Sequence, residues 1–189
     1  MNREDRRVVS REYFSEERLA EHHFRSFNNF LERGMQDVVT EKERIETDIG
    51  DKEGEEPVFV ELGDVRIETP RVREADGSEE LLFPQEARLR NITYAAPVFM
   101  EMSIVRGGEE EEEMVVDTTE TKVGRMPIMV GSTKCNIHGL TDEELIEIGE
   151  DPVDPGGYFI VNGSERVLMT SEDLAPNKIL AEYDSKYGD

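Results

Sequence analysis

The sequence predicts an α+β fold, in which a mixed, mainly antiparallel sheet packs with one long N-terminal helix and several short helices. Three observations indicate this class. Apolar residues recur at helical spacing between residues 12 and 39, and the rest of the 189-residue chain contains short runs rich in β-branched and aromatic residues. An Asn-Gly pair between two of these runs is the typical signal for a tight hairpin.

The N-terminal region predicts an arm followed by the long helix. Half of residues 1–10 are charged, and this segment is predicted to be a flexible arm. Within residues 12–39 apolar side chains lie at roughly helical spacing, so we expect a helix whose apolar face docks on the sheet. The pattern allows a break near Ser15 or His22. The apolar residues concerned are Phe14, Leu19, Phe24, Phe27, Phe30 and Leu31.

Strands and turns account for most of the remaining chain. The predicted strands, in order, are residues 58–62, 65–68, 94–105, 114–117, 124–130 and 178–183. Residues 71–80 are expected to form a polar loop, and residues 84–90 a short turn or the entry to a strand. Thr141 and Glu144 fit a capping box, which predicts a short helix that stops at Gly149.

Residues 156–167 form the segment around which the rest of the chain is organised. Residues 158–161 are an aromatic and β-branched run, and Asn162-Gly163 supplies two residues that accept positive φ. Residues 166–169 are expected to form the return strand. Backbone pairing would then hold Arg166 so that its side chain has a defined orientation. On this pattern alone, an ordinary core hairpin with one surface arginine is favoured.

The charge of the chain limits the partners it can have. It contains 45 Asp and Glu against 22 Lys and Arg, a net charge of −23, and the acid is spread over nearly every segment. A nucleic-acid-binding module is expected to be basic, so two explanations remain. Either the protein works in molar salt, where a Debye length of about 3 Å screens self-repulsion, or it is an acidic interaction protein that mimics nucleic acid. Because the acidic residues are dispersed along the chain, the first explanation, adaptation to molar salt, is favoured.

The sequence offers little for catalysis, metal binding or membrane insertion. Cys135 is the single cysteine, and the Cys135–His138 spacing lacks the second ligand pair that zinc needs. The glutamates of residues 109–113 are expected to stay solvated. The sequence contains no phosphate-binding loop, no aspartate cluster for two-metal chemistry and no apolar run of about 18 residues, and we expect no signal peptide. We therefore expect no catalytic residue, cofactor or metal in this segment, no membrane contact, and a cytoplasmic location.

Several segments agree, in order and spacing, with one known family. They are residues 26–36, residues 76–77 with 82–84 and 87–97, residues 124–130, and the hairpin at 156–167. Together they resemble the protrusion near the N-terminus of the second-largest subunit of multisubunit DNA-dependent RNA polymerases. The resemblance is to the archaeal form in particular, from lineages in which the gene is split.

The resemblance implies an incomplete, protrusion-like fold. Residues 11–189 would be the first part of that domain, which is interrupted after this point by a second domain, the lobe. The segment would form one wall of the DNA cleft and help position template, upstream DNA and nascent RNA. Its implied partners are the other polymerase subunits and transcription factors. The assembled enzyme transfers nucleotides to RNA with Mg²⁺, which is expected on the largest subunit.

The resemblance also nominates residues that face nucleic acid. Carried over by position, these are Arg166, Met169 and Ser171, near the start of the nascent transcript. Charge alone adds Lys134 and Arg125. An arginine in this place would act as a fork-shaped donor to phosphate, without sequence selectivity. The alternative that the sequence leaves open is a stand-alone acidic protein-interaction module with no catalytic role.

Overall fold

Short helices alternate with β-strands along the chain. The computed structural model describes residues 3–16, 20–42, 44–47, 57–107, 114–169, 171–174 and 176–177. The helices of this part are α1 (Arg3–Glu16), α2 (Glu21–Asn29), a π-helical segment (Phe30–Gly34), α3 (Met35–Thr40), α4 (Pro84–Leu89) and α5 (Asp142–Glu147). The strands are β1 (Arg44–Glu46), β2 (Val58–Ile67), β3 (Arg71–Arg73), β4 (Glu79–Leu81), β5 (Ala95–Arg106), β6 (Met114–Pro127), β7 (Phe159–Val161) and β8 (Ser164–Arg166).

All strand pairs of the described residues are antiparallel. The largest sheet has the order β1-β2-β5-β6, and β3-β4 and β7-β8 form separate two-stranded sheets. The predicted α+β class is confirmed, as are the long strand β5 and the β7–β8 hairpin. The capping box is confirmed as well, because the Glu144 N–H donates to Thr141 Oγ1 and the Thr141 N–H donates to Glu144 Oε2.

Two pairs of predicted strands are single strands in the structure. Residues 58–62 and 65–67 lie in β2, which bulges between Leu62 and Val65, and residue 68 of the second predicted strand follows the end of β2. Residues 114–117 and the first part of the predicted strand 124–130 lie in β6, an edge strand that is exposed along most of its length, whereas residues 128–130 follow its end. An edge strand exposed on both faces needs no apolar alternation, so its polar middle gave no strand signal. The predicted strand at 178–183 and the glutamates at 109–113 lie outside the described residues.

Two segments that were predicted to lack regular structure are ordered elements. The predicted loop at 71–80 contains β3 and most of β4, joined by a turn in which Asp76 Oδ1 accepts from the Ser78 N–H at 2.9 Å. Residues 84–89, predicted as a turn or strand entry, form helix α4. Pro84 suits the first helical position, where a missing N–H does no harm. The carboxylate of Glu150 also caps this helix, because it accepts from the Gln85 N–H at 2.6 Å.

One long N-terminal helix is not clearly supported by the structure, although α2, the π-helical turn and α3 follow one another without a gap from Glu21 to Thr40. Helices α1 and α2 are separate, and Ala20 before α2 has non-helical dihedral angles, close to the break that the pattern allowed at His22. A π-helical turn then separates α2 from α3. Residues 3–10, predicted to be an arm, belong to the exposed helix α1. The flexibility of that arm stays a prediction.

One side chain joins the helices to the main sheet. The Gln36 amide on α3 donates to the Gly63 carbonyl at 3.2 Å and accepts from the Val65 N–H at 2.9 Å. Both backbone groups lie at the bulge of β2, where the extra residues interrupt the ladder with β5. Gln36 therefore satisfies the groups that the bulge leaves unpaired.

Tyr94 lies at the centre of the main core. Its backbone N–H donates to the Ile160 carbonyl at 3.0 Å, and its carbonyl accepts from the Ile128 N–H at 2.9 Å. Its hydroxyl lies 3.2 Å from Cys135 Sγ and accepts from the Asn136 N–H at 2.8 Å. Burial raises the pKa of both the Tyr94 hydroxyl and the Cys135 thiol, so both stay neutral. Cys135 is thus a core residue in this structure.

We predict that Gly157→Ala destabilises the protein more than Gly139→Ala. Both glycines have similar positive φ, 83° and 79°, so alanine is strained at either position. A Cβ on Gly157 would overlap Cβ of Ala20, whereas nothing lies within 4 Å of a Cβ on Gly139. We expect the overlap to cost about 1–3 kcal/mol more in the free energy of unfolding. Urea unfolding in molar KCl measures the difference, and equal values would contradict the packing.

Candidate nucleic-acid interface at the β7–β8 hairpin

The turn of the hairpin has the backbone that its sequence predicts. Asn162 and Gly163 have φ of 51° and 75°, the left-handed pair that favours Asn-Gly. Gly163 is also held close to a neighbouring segment, because a Cβ there would lie 2.8 Å from Cα of Asn91. The turn therefore requires glycine both for its dihedral angles and for its packing.

Backbone hydrogen bonds fasten the hairpin to residues 92–94. The Gly163 N–H donates to the Ile92 carbonyl at 3.1 Å, and the Asn162 N–H donates to Thr93 Oγ1 at 3.1 Å. Tyr94 completes the set through its bond to Ile160. The two segments that the sequence analysis matched separately, 87–97 and 156–167, are thus one structural unit.

The base of the hairpin packs against helix α2. Phe159 meets the ring of Phe27 edge-on, with ring centroids 5.2 Å apart. Just before β7, Gly157 donates its N–H to the Val130 carbonyl at 3.0 Å. Gly156 lies so close to that carbonyl that a Cβ would come within 2.6 Å of it. The paired glycines therefore let the chain pass between α2 and residue 130.

A charged network around Arg88 holds the hairpin from the side. The Arg88 Nε donates to Glu165 Oε1 on β8 at 3.0 Å, and its Nη atoms lie 3.5 Å from both Glu150 and Asp154. The Tyr158 hydroxyl accepts from Arg88 and donates to Asp154. Since Arg88 belongs to α4, this network joins α4, the loop before the hairpin and β8.

The network keeps one cation among three carboxylates. Burial opposes the charge on Arg88, but Tyr158 and the carboxylates of Glu165 and Glu150 outweigh it and raise the pKa of the guanidinium. Burial raises the pKa of Glu150 and, together with the bond to Asp154, that of Tyr158. Sequence reasoning missed this network. Arg88 lies inside a matched segment, but its partners are 62 to 77 residues away, so no local spacing reveals them.

The outer side of the hairpin exposes three of the nominated residues. Arg166 lies on β8 opposite Phe159 and is exposed. Met169 follows without regular structure and is 86% exposed, and Ser171 is also exposed. Within the described residues no hydrogen bond or ion pair engages the Arg166 side chain. Pairing ends at Arg166, so the predicted return strand, residues 166–169, is instead residues 164–166.

The other two nominated residues differ from Arg166, Arg125 in its contacts and Lys134 in its exposure. Arg125, near the end of β6, donates from Nη2 to the carbonyls of Arg71 and Ala95, at 2.5 and 2.9 Å. Lys134 is half-buried in the turn that follows β6. The next residue before it, Thr133, donates its N–H to Asn28 Oδ1 on α2. One guanidinium nitrogen of Arg125 is therefore engaged by the fold, whereas no hydrogen bond or ion pair engages the guanidinium of Arg166 within the described residues.

Two absences within the described residues bear on function. No group of three or more His, Cys, Asp or Glu side chains is placed there to hold a metal ion. His138, the partner suggested by the Cys135 spacing, instead lies with Nδ1 3.2 Å from the Gly131 carbonyl. None of the described helices combines the length and the apolar character needed to span a bilayer.

The sequence matches a known family of proteins. A family model described as RNA polymerase beta subunit matches residues 18–182, which is most of the chain. The chain belongs to this family and corresponds to the N-terminal part of the second-largest subunit of RNA polymerase. The resemblance found in the sequence is confirmed, and family membership supports a polymerase subunit over a stand-alone acidic module.

Relatives with curated names identify the archaeal branch. DNA-directed RNA polymerase subunit Rpo2N of Halobacterium salinarum is 87% identical over 189 residues, which is all of this chain and 36% of that subunit. Rpo2N of Methanocaldococcus jannaschii is 43% identical over 178 residues, 93% of this chain and 34% of that subunit. Subunit Rpo2 of Saccharolobus shibatae is 45% identical over 179 residues, 95% of this chain and 15% of that subunit. The chain spans about a third or less of the length of these relatives.

We predict that Arg88→Gln destabilises the protein by about 2 kcal/mol, because it leaves the buried carboxylate of Glu150 without its cation. The value is below that for a fully buried pair, since a fifth of the Arg88 side chain is exposed. Arg90→Gln is the matched control, because Arg90 also binds two carboxylates, Glu74 and Glu86, but at the surface. Chemical unfolding of both variants tests the comparison, and an equal loss would contradict a special role for Arg88.

Proposed function

We propose that this chain forms part of the wall of the DNA cleft in an archaeal DNA-directed RNA polymerase. In this role it helps to position template, upstream DNA and nascent RNA during nucleotide transfer by the assembled enzyme. The observation that carries the proposal is the β7–β8 hairpin. It is fixed from three sides, by residues 92–94, by helix α2 and by Arg88, yet its outer side presents an unengaged arginine.

A rigid hairpin suits a positioning role. A guanidinium contributes most to binding when its backbone is already ordered, because less conformational entropy is then lost on contact. Arg166 meets this condition, since β8 is paired with β7 and Glu165 beside it binds Arg88. We assign Arg166 as the phosphate donor and Met169 and Ser171 as the neighbouring contacts. Lys134 and Arg125 are weaker candidates, and Arg125 already donates both N–H groups of Nη2 to backbone carbonyls.

The rest of the proposal concerns the assembled enzyme. Residues 11–189 are the first part of the protrusion domain, before the lobe, and residues 1–10 are its N-terminal arm. The partners are the other polymerase subunits, DNA, RNA and transcription factors, in the cytoplasm. The Mg²⁺ ions of nucleotide transfer belong to the largest subunit, so this segment contributes shape and positive charge at defined points.

The high acidity of the chain fits a saline cytoplasm. The named relative from Halobacterium salinarum is 87% identical, so an acidic surface of this kind is compatible with a polymerase subunit. Molar salt shortens the Debye length to about 3 Å and weakens the repulsion between exposed carboxylates. Under these conditions a single ordered arginine in direct contact with phosphate still contributes hydrogen bonds that do not depend on long-range attraction.

We predict that Arg166→Gln weakens the hold of the assembled polymerase on short transcripts. Loss of one charge-assisted contact, worth about 1.5–3 kcal/mol, raises the release of short RNAs roughly tenfold or more. Arg166→Lys retains the charge without the fork and should give a smaller increase. Arg73→Gln is the control, since Arg73 is exposed on β3, outside the hairpin.

The measurement is the ratio of released short RNA to full-length RNA on a defined template, with polymerase purified as a complex. Equal ratios for Arg166→Gln and Arg73→Gln would contradict the assignment of Arg166. Failure of the unsubstituted chain to co-purify with other polymerase subunits would contradict the proposed function as a whole.

A further inference from the structure

Helix α1 is a local exception to the acidity of the chain. The helix contains four arginines and four acidic residues, so its side chains sum to zero in a protein with net charge −23, and residues 3–11 contain all four arginines but only two of the acidic residues. All four arginines are exposed. The four are Arg3, Arg6, Arg7 and Arg11.

The helix gathers these arginines on one side. Arg3, Arg7 and Arg11 follow each other at intervals of four residues, so they form one stripe along the axis. Arg6 lies three residues after Arg3 and one turn before Ser10, which places Ser10 in the middle of the basic side. Asp5, seven residues before Glu12, shares the opposite side with it. We call the surface formed by the four arginines and Ser10 the α1 basic face.

The arginines of the α1 basic face are not paired within the described part of the chain, although Glu4 lies at the edge of the face, three residues before Arg7. Within that part, no hydrogen bond or ion pair engages the side chains of its four arginines. Elsewhere the same protein pairs its arginines readily: Arg44, Arg66 and Arg90 each bind glutamate even at the surface. In a chain with 45 acidic residues, an exposed helix that keeps four arginines unpaired has positive charge available for another molecule.

We propose that the α1 basic face binds the phosphate backbone of duplex DNA, which extends the cleft wall beyond the hairpin. The stripe from Arg3 to Arg11 is about 12 Å long, at a rise of about 1.5 Å per residue. A DNA strand advances about 3.4 Å per nucleotide, so the stripe spans several consecutive phosphates. Arginines that are spaced regularly along a line suit a linear polyanion such as a DNA strand, because each guanidinium can donate to a phosphate. Contacts to phosphate do not read the bases, so we expect binding without base selectivity.

The proposal rests on the proposed function, because the polymerase brings DNA to this chain. It assigns a second contact, on a different element from the hairpin. The hairpin offers one ordered arginine beside apolar residues, whereas α1 offers four arginines on one exposed helix. The two sites therefore differ in how steeply their contribution falls with salt, since each phosphate contact adds to the salt dependence of binding.

The first experiment uses the complete polymerase complex and a promoter duplex opened at the start site. The variant carries Arg3→Gln, Arg7→Gln and Arg11→Gln. The control carries Arg33→Gln, Arg73→Gln and Arg106→Gln, which removes the same charge from exposed residues on three other elements. DNA affinity is measured over a range of KCl in which circular dichroism shows both complexes folded.

The expected result is a shallower salt dependence for the α1 variant alone. The slope of log K against log salt should fall in magnitude by about 0.9 for each arginine that contacts a duplex phosphate. Equal slopes for the α1 variant and the control would overturn the proposal.

The second experiment keeps all arginines and needs no loss of function. A photoreactive amino acid replaces Ser10, at the centre of the α1 basic face, and in a matched sample it replaces Val8, which is exposed away from the Arg3–Arg11 stripe. Crosslinks to DNA from position 10 and not from position 8 are expected. Crosslinks from position 10 only to another protein subunit, or to nothing, would overturn the proposal while leaving the polymerase assignment intact.

Discussion

Tyr94 is the residue on which the architecture around the site depends. Its backbone joins two separate segments, through Ile128 on one side and Ile160 on the other, and its hydroxyl holds the Asn136 N–H of a third. The side chain is fully buried, so these bonds are shielded from water. The hairpin therefore has its position fixed by the centre of the core. A functional surface built on such a support keeps its geometry when the surrounding loops move.

Local signals explain which elements could be predicted from the sequence. The Asn162-Gly163 turn and the Thr141–Glu144 capping box depend on residues a few positions apart, and both were predicted correctly. Helix α4 could not be predicted in this way, because its start is completed by Glu150, which follows it by 65 residues. Strand β6 was divided in the prediction because its edge position removes the apolar alternation that marks a buried strand.

The residues of the candidate site show the same difference between what local signals predict and what distant contacts decide. Arg166 was found from a resemblance between short motifs, and the structure shows it ordered and exposed. Arg88 was missed although it fixes β8, because its carboxylate partners come from distant segments. Arg125 was nominated on charge, but charge alone does not show that its guanidinium already binds two backbone carbonyls. Which arginines remain available for a partner is a property of the tertiary structure.

The exposed edge of β6 has a consequence for handling this chain in isolation. In the part of the chain that the structure describes, no strand pairs with β6 on the side away from β5, so a long row of backbone donors and acceptors faces solvent. Such an edge can join a copy of itself, and charged residues such as Asp117, Glu120 and Lys122 discourage this by repulsion and hydration. Concentrated salt, which relieves the crowding of carboxylates over the whole surface, weakens this protection too. We therefore expect high ionic strength to favour association of the separate polypeptide through this strand.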